Sequence, residues 1–128
     1  MDLLALYQVR LDKCAAEQFW MVALLASMHG FIIIKKQVLL DALSETILKA
    51  GIALATLFGI GYIISRHLIY VRYDDLVNQI IIKQAEKLGL LIPPTSGILK
   101  TAAVNSGVVF YSLIVLAMGI VSIRIIKS

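Results

Sequence analysis

The chain predicts an all-α integral membrane protein with three transmembrane helices, the first two extended by amphipathic helices that emerge on the same side. Three observations predict it. The stretches 18–34, 50–65 and 101–123 carry no Asp, Glu, Lys or Arg over 17, 16 and 23 residues, near the length a helix needs to cross about 30 Å of hydrocarbon. Lys or Arg stands at or near every end of these windows: Lys13 and Lys35, Lys49 and Arg66, Lys100 and Arg124. Hydrophobic residues make up 60% of the 128 residues and charged residues 16%, against about 45–50% and about 25% in soluble domains. A soluble fold of this size could not hide that much apolar surface. Only helices and closed barrels satisfy every backbone group inside lipid, and the apolar spacing is helical. One membrane domain over residues 1–128 is the expected organisation.

Residues 2–17 read as an amphipathic helix running straight into the first span, 18–34. Leu4, Tyr7, Leu11, Cys14 and Ala15 recur at helical spacing, while Gln8, Arg10, Asp12, Lys13 and Glu17 supply the polar positions. No Gly or Pro interrupts the chain before Gly30, which predicts one continuous helix from about residue 3 to residue 34. The first positive charge is Arg10, so no basic n-region precedes the apolar core and the first span is expected to act as an uncleaved insertion signal. Cys14 is the sole cysteine, which rules out an intrachain disulfide; a buried packing role is expected of it.

Lys35 and Lys36 close the first span. Leu39, Ala42, Leu43 and Ile47 then share one face of a segment whose other face holds Asp41, Ser44 and Glu45. This predicts a short interfacial helix over 37–48, or an extension of the second span. The second span, 50–71, continues as an amphipathic helix to residue 90, with Val77, Ile80, Ile81, Ala85 and Leu88 at helical spacing. Gly89 followed by Pro93-Pro94 is a stop signal. The breaker loop 92–97 reverses the chain into the third span, 101–126.

Alternating spans put the N-terminus and the 66–100 connection on one side. Seven Lys and Arg residues lie there against five on the other side, which favours a cytoplasmic N-terminus. A multi-pass protein of a bacterial inner membrane is the expected setting. Trp20, Tyr70 and Tyr73 fall where an aromatic belt would lie, and with Lys35, Lys36 and Arg66 they are the expected interfacial anchors. The extensions 2–17 and 68–90 emerge together and could pack as an antiparallel hairpin.

Candidate chemistry is sparse. All eight carboxylates lie outside the charge-free windows, whereas ion-coupled transport normally needs an ionisable group within the membrane. His29 alone has that position, and an antiparallel arrangement separates it from His67 by roughly 20 Å or more of helical rise. No nucleophile–base motif, phosphate loop or zinc signature is present, and Gly59-Ile60-Gly61 lies mid-span. No enzymatic activity, cofactor or metal is expected. The net charge of +4 comes without a basic run or interleaved aromatics, so no nucleic acid is expected and the lipid bilayer is the first partner.

Small residues give the more useful signal. Ala26 and Gly30 on the first span, and Gly51, Ala55 and Gly59 on the second, recur every four residues. Such faces let helix backbones approach closely. They predict a helix-packing interface, within this three-helix unit or with a second copy or a larger membrane protein.

Three functions are compatible with these features. The first is a small non-catalytic polytopic subunit of a membrane complex, structural or accessory. The second is a homo-oligomeric pore-forming or membrane-permeabilising protein, since size and three spans are similar to three-span holins; a small defence effector belongs with it. The third is a haem or quinone redox-complex anchor: Arg66-His67 closing the second of three spans resembles the anchor subunits of succinate dehydrogenases. In that family the resemblance implies a haem ligand two turns earlier, where this chain has Ile60.

Overall fold

The computed structural model describes the backbone of residues 2–90 and 97–127, and the side chains of 2–90 and 105–126. Among the described residues the fold is all-helical: α1 (Leu3–Ile34), α2 (Lys36–Ala42), α3 (Glu45–Lys87) and α4 (Gly97–Lys127). Three of these are long and apolar enough to cross a membrane, over Leu3–Ile34, Glu45–Lys87 and Asn105–Ile126.

Local chemistry sets the boundaries. Asp2 accepts from the Leu4 amide at 3.3 Å and starts α1. Lys35, at φ −100° and ψ 19°, turns the chain into α2. The expected helix over 37–48 is divided: α2 stops at Ala42, Leu43 and Ser44 are extended, and Ser44 Oγ caps α3 by accepting from the Ile47 amide at 3.2 Å. Glu45 sits in the first turn of α3, on the favourable end of its dipole. The second span therefore begins inside a helix that starts at Glu45 rather than near residue 50.

At the far end, Gly89 takes φ +68°, the left-handed conformation that L side chains avoid. The Leu90 amide reaches back to the Ala85 carbonyl at 2.9 Å, closing a Schellman cap on α3. The expected breaker loop, 92–97, lies outside the described residues up to residue 96.

Packing follows the burial pattern. On α1 the inward positions are Leu4, Tyr7, Leu11, Cys14, Gln18, Met21, Leu25, Met28 and Ile32, in alternating steps of three and four. On α4 they are Val108, Ser112, Val115, Gly119, Ser122 and Ile126. A 3.5-residue period is the seam of left-handed helix packing. α1 runs antiparallel to α3 along its whole length, and α4 lies against both. Leu25, Ile63 and Val115 form one apolar layer, with Ile63 and Val115 fully buried. Ile32, Leu48, Ile52 and Ile126 form a second, covered by Leu39 and Leu40 of α2.

Candidate functional site

Polar side chains scattered along three segments of sequence converge on the interior of this bundle. Gln18, His29, Thr56, His67 and Ser122 are all buried. Buried polar groups require partners, and the two histidines find theirs on α4. His29 Nδ1 stands 2.7 Å from Ser122 Oγ, and His67 Nε2 stands 2.7 Å from Asn105 Oδ1. An amide oxygen only accepts, so His67 donates from Nε2. Asn105 and Ser122 are 17 residues apart on α4, about 26 Å of helical rise. The histidines thus belong to opposite ends of the bundle and cannot share a ligand, as the antiparallel reading requires.

The two ends differ in company. Around His67, the Tyr70 ring stacks at 6.3 Å. Next to His67 in the sequence, Arg66 has its Nε 3.1 Å from Glu17 Oε2, out of line for a hydrogen bond, so the contact is ionic. The Arg66 guanidinium also sits 5.0 Å from the centre of the Tyr62 ring. Beyond this cluster Tyr7 and Tyr73 meet at 5.6 Å, joining the two amphipathic extensions as a helical hairpin. Tyr70 and Tyr73 contact these partners and are half-buried. Arg66, read as an anchor, is held by Glu17 and Tyr62. Trp20, 67% exposed, and Lys35 face outward, and Lys36 is half-buried.

Around His29 the surroundings are apolar. Its Nε2 is buried and has no hydrogen-bond partner. Thr56, one turn of packing away, spends its hydroxyl on the Ile52 carbonyl at 2.8 Å. It also packs tightly against α4: a Cβ on Gly119 would lie 2.5 Å from Thr56 Oγ1.

The small residues fall into two groups. Gly59 is at the waist of the bundle, where a Cβ would overlap Leu25 Cδ1 and come within 3.6 Å of Val115 Cγ1. Gly30 and Gly51 have open space where a Cβ would go; Ala26 is exposed and Ala55 half-buried. Gly119 packs closely too, against Thr56. No small residue lies four positions from Gly119 in either direction, and Ala103, Gly107 and Ala117 compete with it on the third span. Among the described residues no three of His, Cys, Asp and Glu converge.

No family model, no curated protein and no solved structure matches this chain.

Proposed function

We propose that this chain is a non-catalytic, multi-pass membrane protein that acts as a structural or accessory subunit of a larger assembly. One observation carries the reading. The two histidines of the long helices are buried and paired with α4 side chains, while Leu54, Leu57, Phe58, Phe110 and Leu113 stand 59–68% exposed on the outside. An exterior this apolar requires lipid or other helices as its solvent. Lateral assembly is supported by Gly30 and Gly51, where an added Cβ would meet nothing within 4 Å, and by the exposed Ala26. The hairpin of α1 and α3 beyond Arg66 supplies a protruding element on one side, cytoplasmic by the Lys and Arg distribution.

The test is extraction and sizing. Alkaline carbonate should leave the chain in the membrane fraction, and mild detergent should release it as a multimer or with a stoichiometric partner. A clean monomer with nothing co-purifying overturns the subunit reading. Alkaline phosphatase fused at the C-terminus should be active if the N-terminus is cytoplasmic.

A homo-oligomeric permeabilising protein is the second reading, supported by the polar groups gathered at two levels of the interior. The dry layer of Leu25, Ile63 and Val115 between those levels counts against a path through one unit. Several copies would have to line the pore together. Collapse of membrane potential within minutes of induced expression would favour this reading over the first.

A further inference from the structure

Five residues of α1 repeat the alternating steps of three and four found in its buried seam, displaced by one position: Arg10, Lys13, Glu17, Trp20 and Leu24. They form one stripe beside that seam. All but Glu17 are exposed, Trp20 by 67% and Leu24 by 63%. Chemistry changes along the stripe in a fixed order: two cations, a carboxylate, an indole, then an aliphatic side chain. Glu17 is already committed to Arg66, with Oε2 and Nε 3.1 Å apart. Arg10 and Lys13 form no ion pair among the described residues, so the stripe keeps two uncompensated positive charges. Asp12, the other carboxylate of this turn, lies about 100° round the helix from Lys13.

Depth matches this order to one kind of molecule. The Glu17–Arg66 pair closes the charge-free windows 18–34 and 50–65, which puts it at the edge of the hydrocarbon. Lys13 stands about 6 Å and Arg10 about 10 Å farther out along the axis, against a head-group layer about 5–8 Å deep on each side. Trp20 and Leu24 stand about 4 Å and about 10 Å farther in, the levels of glycerol esters and of acyl chains. We propose that this stripe binds a phospholipid of net negative charge, its phosphate held by Lys13 and Arg10 and one acyl chain lying over Trp20 and Leu24. The proposal rests on the membrane reading above. A zwitterionic lipid brings its own cation to the cluster and gains less there. A soluble anion meets the same two cations with nothing to lay along the apolar half of the stripe.

Trp20 is the chain's only tryptophan, so its fluorescence reports on this stripe alone. The test uses the full chain in phosphatidylcholine vesicles, with phosphatidylglycerol or phosphatidylcholine carrying brominated acyl chains added as quencher. Brominated phosphatidylglycerol should quench Trp20 saturably, at a mole fraction at least about fivefold lower than brominated phosphatidylcholine, the worth of one cation among head groups. Lys13→Gln should remove most of that preference. Arg10→Gln combined with Lys13→Gln should remove all of it, with helix content unchanged because both side chains are exposed. Arg72→Gln deletes an equal exposed charge at a similar depth, about 120° round α3 from Arg66, and should leave the preference intact. Equal quenching by the two lipids, a preference that survives the double variant, or one that falls as far in Arg72→Gln overturns the proposal. So does a Trp20 shielded from both lipids, because another protein surface then covers the stripe. Loss of the preference to inorganic phosphate at matched ionic strength also overturns it, because a soluble anion then suffices. If carbonate washes the chain from membranes, the membrane reading itself has failed. If the chain is retained and the two lipids quench equally, the lipid site alone falls.

Discussion

At one end of α4, Asn105 meets His67 beside the Glu17–Arg66 pair and the Tyr70 ring; at the other, Ser122 meets His29 among Ile33, Met118 and Val121. Both contacts tie α4 to the α1–α3 hairpin through a buried histidine and a 2.7 Å bond. The surroundings make them different in kind. Near His67 each polar group has several polar neighbours and half-buried side chains that reach the surface. Near His29 the neighbouring side chains are apolar, so only the backbone could replace a lost partner. Polar contacts of the same length therefore carry different weight according to what else could satisfy them.

The comparison can be broken first at the layer between the two ends. Gly59→Leu would drive a side chain into Leu25 and Val115, and should cost about 3 kcal/mol or more by overpacking. SDS titration of the detergent-solubilised protein should show α4 released at both ends together. If only one end loosens, the ends are independent units.

His29→Leu comes next. It strands Ser122, which is 1% exposed, and should cost about 2 kcal/mol in the same titration, unaltered by salt. His67→Leu strands Asn105, which is only half-buried, and should cost about 1 kcal/mol. The order of this pair is the sharpest test: a larger loss at His67 would show that polar company there rigidifies the contact instead of replacing it. Arg66→Gln should have the smallest effect, under about 1 kcal/mol, because its side chain and that of Glu17 remain partly exposed, 35% and 26%. That loss should shrink further in high salt.

Much of the fold was legible in the sequence because it depends on local rules. Charge-free windows locate the three long helices, an unbroken run from Leu4 to Cys14 predicts the continuity of α1, and Gly89 ends α3 through a backbone angle that only glycine takes at no cost. The break at Leu43–Ser44 was hidden, since Leu39, Leu43 and Ile47 keep helical spacing across it and no Gly or Pro marks it. Ser44 reads equally well as a polar-face residue and as a cap. The interior polar pairs were not legible at all. His29 and Ser122 lie 93 residues apart, and their meeting depends on the register of α4 against α1. Close approaches at Gly59 and Gly119 constrain that register; spacing on the second span marks Gly59 but not the residues it meets on the other helices.

The length of α3 has a mechanical consequence. Its 43 residues form one uninterrupted helix, about 65 Å long, that packs without an intervening side chain against Leu25 of α1 and Val115 of α4 at Gly59. From Gly59 to Lys87 is 28 residues, and to Glu45 is 14, so a rigid rod pivoting at that point would be a lever with arms in a ratio of two to one. A sideways displacement of the hairpin tip would reach the α2 end at half the amplitude and in the opposite direction. Whatever takes hold of the long arm gains a twofold advantage in force over the layer of Leu48 and Ile52.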